Sequence, residues 1–462
     1  MKKTIVRIVL GALVVVLGYG VSYLWRALPI ISGYGAKNLC SCVFVAGRDV
    51  SDVISQELGN GLLAYGSFSI NLSDSSASGS VLGLATRKAI YRKGLGCTLL
   101  AGMDEQTVRN QKINLHKYEA VMPDTVAWPL GNRMDSLPPA IDRKKLNDAL
   151  QFAFTEADTA RPMNTRAVVV VYDGALIAEA YAPGYDAHSK HLGWSMTKSI
   201  TNAIVGILSA QGSVEVGAPA GVDDWLHDKR SQITWHNLLQ ASSGLAWEEY
   251  YGGPSKATNM LFKETDMGRY AAQSNLESEP NTVFEYSSGT TNILSWLTRQ
   301  VIGEEDYYRF YQRELFEKIG AHSMVVEPDA GGTYVGSSYS WATARDWARF
   351  GLLYLNDGVF QGKRILPEGW VRYTTTPADA APRGEYGAQW WLNAGEKANP
   401  SNRYYPDLPT DCFQAEGFEG QFVFVIPSKK LVVVRLGLSQ KNELDMNAFV
   451  ARVIQALPSD AP

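Results

Sequence analysis

The chain changes its hydrophobic rhythm several times. From Ile8 to Trp25 it is apolar without a period, closed on either side by Arg7 and Arg26. Eighteen residues are enough for a helix to span a hydrocarbon core. The following stretch, Trp25-Arg-Ala-Leu-Pro-Ile-Ile31, lacks the small-x-small pattern of a cleavage site. With Lys2, Lys3 and Arg7 in front, the segment predicts an uncleaved transmembrane anchor over residues 1–30, basic end inside and the rest of the chain outside the cytoplasm, on the periplasmic side. A cleaved signal peptide is the competing reading. Beyond it, Phe68-Ser-Ile-Asn-Leu72 alternates, the Ser/Gly cluster from Ser73 to Ser80 predicts a turn, and Val81-Leu-Gly-Leu-Ala85 resumes the apolar pattern, together a β-hairpin. We read residues 31–140 as a small extension, ending in a linker made by Trp128-Pro-Leu-Gly-Asn-Arg133 and Pro138-Pro139.

From residue 141 to 462 the texture is that of one larger domain. Val168–Tyr172 and Ala175–Tyr181, joined by Asp173-Gly174, predict a hairpin. Helical periods recur at 293–302, 305–319 and 342–356 within a largely helical middle. Phe422–Ile426 and Leu431–Leu436 flank a turn at Pro427–Lys430, and 443–456 is an amphipathic helix. Strands from both ends of this region flank a helical insert, which predicts an α+β fold: one antiparallel sheet covered by helices.

Composition adds little. The 462 residues are 45% hydrophobic and 19% charged, with a net charge of −4 and no long run of one sign, which gives no footprint for nucleic acid. Twelve tryptophans and 23 tyrosines suit an aromatic-lined cleft, and equally an ordinary core. An exported body permits disulfides. Of Cys40, Cys42, Cys97 and Cys412, we expect Cys97 to pair with Cys40 or Cys42, leaving Cys412 as the odd one. No histidine lies near Cys40 or Cys42, and the six histidines form no His-Glu-x-x-His, so no metal is expected.

The candidate chemistry lies at Ser195-Met-Thr-Lys198. Serine and lysine three residues apart share one helical face, and a desolvated lysine can take the hydroxyl proton. Ile200, Ala203, Ile204, Ile207 and Leu208 then fall on one stripe, so Ser195 sits at or near a helix N-terminus, where backbone N–H groups favour developing negative charge. Two further segments complete a possible acyl-transfer site: Phe284-Glu-Tyr286-Ser-Ser288-Gly-Thr-Thr-Asn292, with a tyrosine in a Ser/Gly loop, and Glu416-Gly-Phe-Glu-Gly420-Gln421, a glycine-rich approach to the last hairpin.

In this order the three segments resemble the penicillin-recognising serine hydrolases. The chain is most similar to their class C β-lactamase-related branch, which includes esterases, DD-peptidases and 6-aminohexanoate-dimer hydrolases. The resemblance covers about residues 145–457 and extends to Leu238-Leu-Gln-Ala-Ser-Ser-Gly-Leu245 and Tyr386-Gly-Ala-Gln-Trp-Trp391. It implies a β-lactamase/DD-peptidase-like fold with a large helical subdomain and no cofactor. It further implies Ser195 as the acylated nucleophile, Lys198 as its base partner, Tyr286 as the proton donor to the leaving group, and an oxyanion hole from the N–H groups of Ser195 and Gln421. Trp194, Ser288, Phe418, Glu419 and Gly420 would line the substrate.

Two departures narrow the substrate class. Ser288 stands where the family often has asparagine, and Phe418-Glu419-Gly420 stands where β-lactamases carry Lys-Thr-Gly. Without that cation to hold a carboxylate, small esters, or amides with an amine near the scissile bond, are better expected than penicillins. A catalytically silent relative that binds cell-wall peptides at the surface is the alternative, and intact Ser195, Lys198 and Tyr286 weigh against it.

Overall fold

The first helix, α1, runs unbroken from Lys2 to Phe44, well past the expected end of an anchor. The structure is a computed structural model, which describes residues 2–116, 125–134, 140–440 and 442–458. Pro138 and Pro139 of the expected linker lie outside these residues, as do the side chains of Lys2 and Lys3. α1 is long and apolar enough to cross a membrane. From Ile8 to Trp25 its large apolar side chains are exposed, whereas Ala27, Ile30, Ala36, Leu39 and Cys40 are buried.

Two compact units result. The smaller comprises Met1–Gln111 with Trp247–Tyr270 and Pro328–Gly332; the larger comprises Lys112–Ala246, Ala271–Glu327 and Thr333–Pro462. In the smaller unit, α1 covers a four-stranded antiparallel sheet in chain order, β1 (Gly66–Asn71), β2 (Ser76–Val81), β3 (Leu84–Arg92) and β4 (Gly96–Leu99). The Ser/Gly cluster thus corrects the expected turn: only its first residues turn, and Ser76–Ser80 form most of β2. The small side chains are explained by the helix above. A Cβ on Gly79 would strike the carbonyl oxygen of Ser32, so this residue lets α1 lie directly on the strand. Cys40 on α1 is bonded to Cys97 on β4, with Cα atoms 6.1 Å apart, which resolves the two pairings left open by the sequence.

The larger unit carries a six-stranded antiparallel sheet assembled from both ends of the chain. Its first hairpin is β5 (Thr165–Tyr172), an inner strand, with β6 (Ala175–Tyr181) at one edge; further along the chain β7 (Lys190–Leu192) and β8 (Val325–Val326) each pair with β9 (Ser340–Thr343) in a separate small sheet. With β10 (Trp391–Leu392), β11 (Phe413–Gly417), β12 (Gln421–Ile426) and β13 (Leu431–Gly437), the large sheet has the order β10-β11-β12-β13-β5-β6. Asp173 and Gly174 both have positive φ, as the tight turn between β5 and β6 demands. Val433 pairs with both Val170 and Phe424, which joins the two hairpins at the sheet centre.

On one face, Val168, Val170, Phe422, Phe424 and Val433 pack under two helices, Arg143–Phe154 and Met446–Ala456. Burying such valine and phenylalanine side chains is worth roughly 1.5–3 kcal/mol each, so the sheet makes a rigid base. Helix Ala344–Leu355 lies on the other face, with Gly351 against Val423 and Val432. The described part of the expected linker is bolted to this unit. Arg349 donates to the carbonyls of Pro129 and Gly131, and Trp128 Nε1 donates to the Gly174 carbonyl at 3.0 Å.

Candidate active site

Ser195 stands just beyond β7, in a single 3₁₀ turn, Trp194–Met196, that leads into the helix Thr197–Ala210. The turn is sharp because Trp194 adopts φ +47°, a left-handed conformation costing a non-glycine residue about 1 kcal/mol or more. Its geometry is over-determined on both sides. Gly193 N–H donates to the Ser340 carbonyl at 2.7 Å, and Thr197 Oγ1 donates to the Trp194 carbonyl at 2.7 Å while accepting from Ser340 N–H at 3.1 Å. Strand β9 therefore holds the turn that presents the serine.

Lys198, one helical turn on, is 2% exposed. Its Nζ donates to Ser195 Oγ at 3.1 Å, Ser288 Oγ at 2.9 Å and the Ser337 carbonyl at 3.1 Å. These contacts occupy the three N–H directions of an ammonium group. Ser288 opens helix Ser288–Ile302, capped by Ser287, whose side chain accepts from Thr290 N–H. Ser337 was not singled out from the sequence. Asn292 fixes it, donating to Ser337 Oγ at 3.0 Å and accepting from its N–H at 3.3 Å. Asn292 lay within the Phe284–Asn292 segment, and its helix position, four residues after Ser288, was the available signal.

The same Nζ lies over the ring of Tyr286, 4.8 Å from its centroid. That ring stacks on Trp391 at 5.0 Å and meets Tyr386 edge-on at 5.8 Å. Glu285 N–H donates to the Ala241 carbonyl, so the Leu238–Leu245 segment supports the tyrosine loop. Gln389, in the Tyr386–Trp391 segment, ties the parts together. Its side chain donates to the Leu239 carbonyl at 2.8 Å and accepts from Thr291 Oγ1 at 2.7 Å, while its own carbonyl accepts from Ser199 Oγ at 2.9 Å. Both motifs beyond the three candidate segments are thus scaffolding for the Lys198 and Tyr286 cluster.

The last segment approaches from the large sheet. The end of β11 reaches the serine turn at Gly417, where a Cβ would collide with the Gly193 carbonyl. Phe418 follows, half-exposed, its ring edge-on to Trp194 at 5.7 Å. Glu419 and Gly420 turn the chain with positive φ. Gln421 begins β12 opposite Gly417. Its buried side chain braces the turn, donating to the carbonyls of Phe418, Glu419 and Gly437 and accepting from Gly437 N–H. Arg435, fully buried, reinforces it by donating to the Gly420 carbonyl at 2.6 Å and to Met163 at 2.7 Å. Burial lowers this guanidinium to about 10, against the opposing pull of Glu156 and Glu443. Among the described residues, no group of three or more His, Cys, Asp or Glu side chains is placed to hold a metal ion.

Residues 153–456 match the beta-lactamase family, well over half the chain, and the protein belongs to that family. The 6-aminohexanoate-dimer hydrolase of Paenarthrobacter ureafaciens is 24% identical over 300 residues, covering 59% of this chain and 72% of the relative. Among solved structures, EstCE1, a hydrolase with promiscuous acyltransferase activity, superposes with a TM-score of 0.53 at 16% identity, over 68% of this chain and 99% of its own. A family VIII carboxylesterase gives 0.51 at 16% identity, over 69% and 97%. At such identities the structural likeness speaks for the fold. The protein is a hydrolase of the beta-lactamase fold.

Proposed function

We propose that the protein cleaves small neutral esters, or amides with an amine near the scissile bond, through an acyl-enzyme on Ser195. The observation that carries this reading is the lodging of Lys198 Nζ among Ser195 Oγ, Ser288 Oγ and the Ser337 carbonyl. A neutral lysine there keeps two N–H bonds, on Ser288 and Ser337, and turns its lone pair towards Ser195. It takes the serine proton as Oγ attacks the substrate carbonyl carbon. Tyr286, beside the same nitrogen, relays a proton to the departing alkoxide or amine as the acyl–heteroatom bond breaks. It then draws a proton from the water that hydrolyses the ester of Ser195.

The oxyanion is assigned to two backbone N–H groups, those of Ser195 and Phe418. Gly417 abuts the serine turn and Phe418 touches Trp194, which favours Phe418 over Gln421, the residue expected from the sequence. Gln421 lies on the returning strand and serves the turn as a brace. Trp194, Phe418, Tyr286 and Trp391 give an aromatic wall, while Glu419 offers a carboxylate where a lactamase would present a cation. A penicillin carboxylate is disfavoured there, and an ammonium is welcome.

We further propose that α1 anchors the protein in a membrane with the hydrolase outside the cytoplasm. The exposed apolar surface of α1 and the Cys40–Cys97 disulfide both suit that placement. The full chain in detergent, assayed against p-nitrophenyl esters, short linear amides and a chromogenic cephalosporin, tests the chemistry. Turnover of esters or amides above the cephalosporin is expected. Equal ester turnover by wild type and Ser195→Ala overturns the assignment. Carbonate extraction and protease digestion of spheroplasts test the placement.

A further inference from the structure

The smaller unit has an end that differs from the rest of its surface. Ser32 of α1 lies over Gly79 of β2, while Phe44 stacks on Tyr91 at 5.5 Å, beside Ile90, the partner of Ser76. α1 therefore runs antiparallel to β2, and the part of α1 preceding Ser32 leaves the sheet at its Val81 end. The β2–β3 turn lies at that same end, because Val81 pairs with Leu84. So does the 3₁₀ turn Gly61–Tyr65, because the next residue, Gly66, pairs with Val81. Both turns carry large apolar side chains into solvent: Leu82 is 82% exposed, Tyr65 70%, Leu62 59% and Leu84 55%. A Cβ on Gly253 would also fall 2.6 Å from the Tyr23 hydroxyl, which brings the exposed Tyr250 and Tyr251 to the level of the last turn of the apolar run. Elsewhere such tips would be a solubility liability.

A positive cluster stands at the same level. Arg26 closes the apolar run. Lys263, beside Phe262, whose carbonyl lies near Gly33, is held below the ordinary lysine range by burial and by the charges of Arg87 and Arg26, against Glu264. Basic side chains next to tyrosines, one turn beyond an apolar helix, match the layering of a lipid–water interface.

We propose that this end of the unit is seated in the bilayer surface around α1, with Leu62, Tyr65, Leu82 and Leu84 entering the acyl-chain boundary and Arg26, Arg87 and Lys263 taking anionic phospholipid headgroups. The inference rests on the anchor reading of α1 and goes beyond it. An anchor alone would leave the unit free on its stalk, whereas this surface fixes its tilt and height.

The full chain, reconstituted in phosphatidylcholine nanodiscs containing phosphatidylglycerol with an acyl-chain diazirine, tests this after illumination and peptide mass spectrometry. Label is expected in α1 and also in the peptides holding Tyr65 and Leu82–Leu84. In Leu82→Glu/Leu84→Glu the Tyr65 label should fall while the α1 label persists, with an intact Cys40–Cys97 bond reporting the fold. Arg87→Glu/Lys263→Glu should lose the gain in turn label that phosphatidylglycerol confers, about fivefold per removed charge. Label confined to α1 overturns the seating and leaves the anchor standing. Absence of label from α1 as well overturns both.

Discussion

Gly417 meets Gly193 backbone to backbone: a Cβ on Gly417 would run into the Gly193 carbonyl oxygen. This contact joins the end of β11 to the turn that presents Ser195, so the serine and the strand N–H beside it share one rigid reference. Gly417→Ala should cost about 1–3 kcal/mol through overpacking. It should also lower kcat up to about a hundredfold with a smaller change in KM, because displacement on the ångström scale spoils transition-state alignment. Thermal melting and steady-state kinetics on the same preparation check both parts. An unchanged kcat would remove Gly417 from the site.

Ser195→Ala should reduce ester turnover to background, and a fluorophosphonate should label Ser195 alone, as read by peptide mass spectrometry. Lys198→Ala should cost nearly as much, and the double variant no more than either single one, since residues acting as a unit are not additive. Tyr286→Phe should lower kcat by about 10²–10⁴. Near-wild-type kcat in Tyr286→Phe would transfer the leaving-group proton to another donor.

Glu416 gives a pH test with a definite sign. Burial, then the nearby Glu443 carboxylate, raises its carboxyl from 4.5 to about 7. The folded protein binds this proton more tightly than the unfolded chain, so the stabilising contribution is whole below about pH 4.5 and is lost as pH rises through about 7. The melting temperature of wild type relative to Glu416→Gln should therefore fall across that window and level off above it. A difference that stays flat from pH 4.5 to 8 would refute the assignment.

Cys97→Ser should destabilise the smaller unit by about 4 kcal/mol in the chain-entropy model, given the 57-residue separation of the bonded cysteines. Cys412, a free buried thiol packed in the core of the larger unit, should stay unlabelled by maleimide in the native protein, since burial pushes its thiol well up. Differential alkylation before and after denaturation reads both.

What the sequence determined by itself was local. Ser195 and Lys198 sit one turn apart, so helical period alone puts them on one face, and they are 3.1 Å apart in the structure. Asp173-Gly174 and Pro427–Lys430 announced their hairpins because turn conformation depends on the residues in the turn. The apolar run of α1 was equally legible. The tertiary structure alone decided relationships between distant segments. Ser288 and Ser337 reach Lys198 from 90 and 139 residues away, and no period connects them. Ser76–Ser80 read as a turn from composition, yet form a strand because a helix lies on them and only small residues fit beneath it. Nor could spacing distinguish Phe418 from Gln421 as the neighbour of the serine turn. Both follow a glycine, and only the packing of Gly417 on Gly193 sets which end of the hairpin faces Ser195.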